Sequence, residues 1–254
     1  MTCGPALFAR YAYPPNALGY CGPGAPGELL AQMAYVDATG GDDRGLRHLA
    51  AGFEGAWPYL ELIAAANNRP DPLDLDVVTA YWVGNRLLDA VTPARLHRSL
   101  EERFAKRTGT SWWRLSDVVS EEAVPHHGLH VFGVYPWVGL LRAGRVEEPL
   151  HVLDRCRVRW GRVEQVQAHD VVVRTRLLTY DGHHLGLGEE VCEVASRHVD
   201  VGPELAPGDW ISLHWDWVCD RLDAQALAAL QGFTERMLRV ANAPARPGPA
   251  TLLG

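Results

Sequence analysis

The spacing of apolar residues predicts two different halves of the chain. Between residue 27 and about residue 145, apolar side chains recur every three or four positions, as in "GELLAQMAYVDA" and "DRGLRHLAAGF". This period is typical of amphipathic helices. From about residue 150 onward, apolar positions alternate in short β-branched segments that turn residues separate, which is typical of strands. The sequence therefore predicts an α+β protein.

The second half contains four segments with the strand pattern, and they predict a small β-barrel or sheet. Their sequences are "CRVRWGRVEQV", "DVVVRTRLLTY", "EEVCEVASRHV" and "GDWISLHW". Asp223 then precedes the helical pattern of "AQALAALQGFTERMLRV" as a predicted N-cap. We predict a mainly helical domain over residues 1–148, a barrel with a C-terminal helix over 149–242, and a flexible proline-rich tail over 243–254.

Prolines predict where several elements of the first half begin. Asp71-Pro72 and Thr92-Pro93 each place a capping residue before a proline, which suits the first position of a helix. Residues 1–26 are rich in proline, glycine, tyrosine and alanine, and we predict an ordered but irregular segment there.

Composition and charge exclude several classes of function. The 254 residues are 47% hydrophobic and 22% charged, enough to build a core, and the formal net charge is -7. This acidic balance differs from the basic face of nucleic-acid-binding proteins. The first 20 residues lack the pattern of a signal peptide, and the longest apolar run, residues 128–141, is too short to span a bilayer. We predict a cytoplasmic protein that binds neither nucleic acid nor membrane.

The five cysteines do not predict a disulfide framework or a zinc ribbon. They are widely spaced, and no C-x-x-C pair occurs among Cys3, Cys21, Cys156, Cys192 and Cys219. Cys21 is a weaker candidate for a metal ligand.

Two short motifs in the first half allow a functional and a structural interpretation. "GPGAPG" (22–27) fits G-x-G-x-x-G, but no strand pattern precedes it and its prolines remove amide donors, so we favour a plain loop. "PHHGLH" places His126, His127 and His130 within one helical turn, where two imidazoles could hold a metal. Because no cysteine is near in sequence, we favour packed or surface histidines and keep these three as weaker candidate ligands.

Tryptophans of the first half could line a ligand pocket or simply form core, and the sequence does not decide between these interpretations. They are Trp57, Trp82, Trp112, Trp113 and Trp137.

His214 and Cys156 lie at the two ends of the predicted barrel. If residues 209–216 are extended, Ile211 and Leu213 share an apolar face, so His214 on the other face points to solvent or to a site. Cys156 begins the first predicted strand among several arginines, and nearby cations lower a thiol pKa and favour the metal-binding thiolate.

These two ends together resemble the HypC/HupF family of [NiFe]-hydrogenase maturation chaperones. That family begins with Cys, three residues, Pro-Gly, a basic residue and Val, and "CRVRWGRV" has Cys156 and Gly161 at the same spacing. The family later carries Gly-Asp-Tyr-Val-x-x-His, and "GDWISLHW" matches it up to His214. The resemblance covers residues 156–240 and implies an OB-like β-barrel with a C-terminal helix.

The resemblance also implies a function. Members of the family carry iron with cyanide and carbon monoxide ligands, the Fe(CN)2CO group. They accept it on a HypD-like scaffold protein and deliver it to the precursor of the [NiFe]-hydrogenase large subunit. By position, Cys156 would be the thiolate ligand of iron and His214 the second contact, while Arg157 and Arg159 could donate hydrogen bonds to cyanide nitrogens.

The chain departs from that family, and two other functions remain open. Cys156 is internal here, behind about 150 residues that the resemblance does not cover, and Trp160 replaces the proline. One alternative is an enzyme whose active site lies in the helical domain or at the domain interface, with a structural barrel. The other is an interaction module without a metal.

Overall fold

The computed structural model describes residues 2–41, 43–108 and 122–243. It consists of a helical first half, a closed five-stranded barrel and a C-terminal helix. This confirms the predicted α+β class with an OB-like barrel. In the first half the α-helices are α1 (Gly4–Ala17), α2 (Pro26–Thr39), α3 (Arg44–Ala51), α4 (Trp57–Ala66), α5 (Leu75–Trp82), α6 (Pro93–Thr108), α7 (His127–Leu129), α8 (Trp137–Arg142) and α9 (Glu147–Cys156). A 3-10 helix (Arg86–Ala90) follows α5, and a π-helical turn (His130–Val134) continues α7.

Helix α1 occupies most of the segment predicted to be irregular at residues 1–26, while residues 18–25 are irregular as predicted. Pro5 lies in its first turn, where a missing amide hydrogen does no harm. All residues from Gly4 to Ala12 are buried, so the helix has no polar face to produce a visible period. Because this segment is rich in proline and buried on all sides, its sequence pattern does not predict a helix.

Only one of the two proline-based helix starts is correct. α6 begins at Pro93 as predicted. Pro72 does not begin a helix, because the Asp71 carboxylate accepts a hydrogen bond from the Leu73 amide and forms a turn instead. α5 begins three residues later, at Leu75, and Asp74 caps it.

The barrel has one strand more than the sequence predicted. Its strands are β1 (Arg159–Val166), β2 (Asp170–Tyr180), β3 (Leu185–Ser196), β4 (Trp210–His214) and β5 (Trp217–Leu222), in the order β1-β2-β3-β5-β4. The short β5 was missed because it follows β4 after only two residues. β3 and β5 join through a single parallel pair, Ser196 with Trp217. Asp223 caps the C-terminal helix α10 (Ala224–Asn242), as predicted.

Helix α1 packs directly against the barrel. The hydroxyl groups of Tyr11 on α1 and Ser212 on β4 hydrogen-bond at 2.7 Å. Arg10 pairs with Asp37 of α2 at 2.8 Å and lies 3.6 Å from Asp220 of β5. One continuous hydrophobic cluster joins the helices to the barrel's outer side, and a smaller apolar cluster fills the barrel.

The predicted domain limits stay a prediction. The limit between residues 148 and 149 falls inside α9, which leads into β1 after Arg157 and Val158. Residues 244–254, most of the predicted tail, lie outside the described residues. In the described part of the chain, none of the helices has both the length and the apolar character needed to cross a bilayer.

Gly84 tests the packing of α10 on the first half. Its φ is +101°, and a Cβ there would lie 2.1 Å from the Phe233 ring of α10. We expect Gly84→Ala to lower the free energy of unfolding by about 2–5 kcal/mol, because backbone strain and overpacking add. Urea unfolding measures this. Gly27→Ala, in open space on α2, is the control and should be neutral or stabilising; equal stability of both variants would contradict the described packing.

Candidate metal centre

His127, Cys156 and His214 form a buried cluster at the contact between the helices and the barrel. One potential ligand atom of each lies within 4.8 Å of those of the other two. The residues come from three separate elements: His127 begins α7, Cys156 ends α9 and His214 ends β4. All three are at most 7% exposed. Two imidazoles and a thiol are a donor set for zinc, copper or iron.

Cys156 does not begin a strand as predicted, because α9 continues to it. The helix ends there when Arg157 turns to an extended conformation, with its amide bonded to the Leu153 carbonyl. The chain then enters β1 at Arg159. The thiol is thereby presented at the C-terminal end of a helix, next to the first strand.

The hydrogen bond of His214 fixes which of its nitrogens can bind a metal. Its Nδ1 lies 2.5 Å from the backbone carbonyl of Tyr11. Because a carbonyl only accepts, Nδ1 carries the hydrogen and Nε2 keeps its lone pair. Among the described residues, Nε2 is buried and has no hydrogen-bond partner. A backbone carbonyl that orients an imidazole in this way is the usual arrangement for a metal-ligating histidine.

His127 is oriented in a similar way by the carbonyl of Cys156. Its Nε2 donates to that carbonyl at 2.8 Å, so Nδ1 is the nitrogen with the lone pair. The Tyr81 hydroxyl lies 3.3 Å from Nδ1, a long hydrogen bond.

Burial sets the protonation states of the cluster. It lowers the pKa of His214 to about 4. It lowers the pKa of His127 well below its ordinary value, and the nearby His214 imidazole lowers it further. Both are therefore neutral at pH 7, as ligands must be. Burial raises the pKa of the Cys156 thiol above its ordinary value. A metal bound there would have to displace the thiol proton.

The prediction that arginines lower the Cys156 pKa is wrong, because carboxylates occupy these guanidinium groups. Arg155 and Arg159 both pair with Glu193 of β3, each at 2.6 Å. Arg157 pairs with Asp154 at 3.0 Å. Desolvation of the thiol is the dominant effect that remains.

The two arginines predicted to contact a cofactor lie beside the cluster and not in its cavity. Arg157 also donates to the Arg176 carbonyl, and Arg159 to the Trp215 carbonyl at 2.7 Å. Neither residue lines the cavity described next. Their contact with a cofactor stays a prediction.

A cavity of about 160 Å³ adjoins the cluster. His127, Cys156 and His214 form part of its wall, and most of the remainder is aromatic or aliphatic, including Trp82 and Trp137. A wider groove outside it shares Cys21, Gly22, Gly55, His130 and Tyr135 with the cavity. The groove therefore lies next to the cavity, on the side of these five residues. Trp57 lines the groove, while Trp112 and Trp113 lie outside the described residues.

The weaker candidates lie at different distances from the cluster. Cys21 lines the cavity outside the three-residue cluster, and burial raises its pKa to about 12. His130 lines the cavity too, 3.5 Å from the Tyr59 hydroxyl. His126 accepts from the Gly128 amide as a helix cap and stacks on Phe233. The three histidines of the motif thus have different roles: His127 belongs to the cluster, His130 lines the cavity and His126 caps α7.

The glycine-rich segment 22–27 is not a dinucleotide-binding turn. Such a turn follows a strand, whereas here helix α1 precedes the segment and α2 begins at Pro26. Gly22, with φ +84°, packs against Phe53 and helps to form the cavity wall.

In a comparison with protein-family models, DUF6390, a family of unknown function, matches residues 1–247. The chain belongs to the DUF6390 family. No curated protein and no solved structure matches it. The DUF6390 match includes the helical half and the barrel, so both halves of the cluster lie within the family's region.

Stability of this DUF6390 protein should fall in mild acid. Burial lowers the pKa of His126 to about 4 and that of His130 to about 3, as it lowers that of His214. Unfolded histidines take up protons below about pH 6.5, while the folded ones stay neutral to lower pH. Their contribution is complete above about pH 6.5 and is lost as pH falls toward 4. Urea unfolding at several pH values should show this decline.

A His130→Gln variant tests the origin of the decline. Glutamine does not titrate, so the free energy of unfolding of the variant should depend less steeply on pH between 6.5 and 4 than that of the parent. Parallel curves for the two proteins would contradict the burial of a neutral imidazole at this position.

Proposed function

We propose that this protein is a metal-carrying assembly factor for [NiFe]-hydrogenase, with the Fe(CN)2CO group as its cargo. Cys156 would supply the thiolate ligand, and His127 and His214 the imidazole ligands. The observation that carries the proposal is the His214 Nε2 atom, which is buried without a partner beside a buried thiol, while its Nδ1 is fixed by the Tyr11 carbonyl.

The chemistry of the donor set supports iron as cargo. Thiolate and imidazole both bind iron, and strong-field ligands such as cyanide suit a low-spin iron centre with a thiolate. Cys156 and His214 are also the two residues that the resemblance to the HypC/HupF family implies. His127 adds a donor from the helical half, the part of the chain that this resemblance does not cover.

The cavity supports a metal that brings its own small ligands. Three protein donors leave coordination positions open, and the cavity of about 160 Å³ offers space for the groups that would fill them. Its largely apolar wall offers few polar groups that could compete for such a metal complex. The groove that shares Cys21 and Tyr135 with the cavity gives a path by which such a complex could be loaded.

The cargo would come from a HypD-like scaffold protein and pass to the precursor of the hydrogenase large subunit. Both partners belong to the proposal, as does a cytoplasmic location. Loading would release one proton from Cys156, whose pKa burial raises, and none from the neutral imidazoles.

An enzyme with its active site at the interface of the two halves is the second candidate. It is favoured by the position of the cavity, whose wall combines three potential metal ligands with apolar side chains. Catalytic metal sites also keep three protein ligands and an open position. Because His127 and Cys156 lie in one cluster, substitutions at either residue would affect both functions, so the metal and its ligands must distinguish them.

Infrared spectroscopy with metal analysis tests the proposal. The protein would be purified without oxygen from a hydrogenase-producing host, with Cys156→Ala and the control Cys192→Ala, whose cysteine is exposed on β3. We expect iron together with cyanide and carbonyl stretching bands in the parent and in Cys192→Ala. Cys156→Ala should lose both, and His214→Ala should lose most of the iron.

Two outcomes would contradict the carrier function. Zinc without cyanide or carbonyl bands, lost in Cys156→Ala, would support the enzyme instead. Bands that persist in Cys156→Ala, with circular dichroism showing that the variant is folded, would move the iron to other ligands, of which Cys21 is the next to test.

A further inference from the structure

Trp82 carries a buried hydrogen-bond donor without an acceptor. It is the last residue of α5 and is 3% exposed, and its Nε1 has no partner among the described residues. An unmet donor in the interior is destabilising by roughly 1–3 kcal/mol, so such groups point to an acceptor that the protein alone does not contain.

The Trp82 ring lies beside both imidazoles of the cluster. Its centroid is 4.5 Å from that of His127 and 5.4 Å from that of His214. Tyr11 stacks on it at 5.2 Å and Tyr81 packs edge-on at 4.8 Å, so the indole is held in place from two sides. A ligand bound to a metal between the imidazoles would therefore be next to the indole.

Two other tryptophans also have a buried Nε1 without a hydrogen-bond partner among the residues that the structure describes, but Trp82 differs from them in position. In the described part of the chain, the Nε1 atoms of Trp215 and Trp217 are also buried without partners. Of these three residues, Trp82 alone lines the cavity at the cluster. The other two have no access to a ligand held there.

We infer that Trp82 donates a hydrogen bond to the acceptor atom of a small ligand carried by the metal. This rests on the proposed metal site and names the chemistry of what the metal holds. The ligand would be a small anion or diatomic molecule that binds the metal through one end and accepts a hydrogen bond at the other, as cyanide and azide can. Trp82 is a positioning residue for it.

The size of the cavity agrees with this class of ligand. An apolar protein cavity of about 150 Å³ holds benzene, which has six heavy atoms. The cavity here, about 160 Å³, would accommodate two or three diatomic groups on one metal.

Azide bound to the cobalt-loaded protein tests the inference. The full-length protein would be reduced, loaded with Co²⁺ without oxygen and titrated with azide, and compared with Trp82→Phe and the control Trp217→Phe. Phenylalanine keeps an aromatic ring and removes the donor. We expect Trp82→Phe to bind Co²⁺ as the parent does but azide roughly tenfold more weakly, with a shifted azide stretching band. Trp217→Phe should match the parent in both.

Each failure has a separate meaning. If the parent binds no Co²⁺ at the cluster, the metal site and this inference both fall. If Co²⁺ binds and azide does not, or if Trp82→Phe binds azide with the parent's affinity and band, the role of Trp82 is overturned while the metal site stands. If Trp82→Phe does not fold, the Trp82 indole N–H resonance of the zinc-loaded parent must shift on addition of azide, and an unchanged resonance overturns the inference.

Discussion

The hydrogen bond between the His214 imidazole and the Tyr11 carbonyl is the contact on which the candidate centre depends. It joins β4 to α1 and leaves Nε2 with the lone pair. The position of the carbonyl depends on α1, which Arg10 fixes to α2 and Tyr11 fixes to Ser212 of β4. The ligating nitrogen is therefore set by the packing of the two halves and not by the barrel alone.

Much of the fold could be predicted from the sequence because many elements have one buried and one exposed face. This contrast produces the helical period of α2 and α3. Asp223 was predicted as a cap because it directly precedes a helical pattern. α1 could not be found in this way, since its first nine residues are buried on every side and its prolines are typical of loops. At Asp71, a side-chain hydrogen bond to the Leu73 amide competes with helix formation, and the local pattern alone cannot rank the two.

The candidate centre could be predicted only in part. The alternation in β4 separated His214 from the apolar face, and the resemblance paired it with Cys156. His127 was not joined to them, because no local spacing connects α7 with α9 and β4. The pKa of Cys156 was predicted in the wrong direction, because Glu193 and Asp154 neutralise the arginines through contacts that a count of nearby charges in sequence leaves out.

A ligand set divided between two halves makes metal binding and the docking of those halves one thermodynamic process. If metal binding strengthens the contact between α7, α9 and β4, then by linkage a partner that separates these elements lowers the affinity for the metal by the same factor. A recipient protein would then not need to compete for His127, Cys156 and His214 one at a time. It would need only to bind the opened form more tightly than the closed one, and release would follow from that difference in affinity.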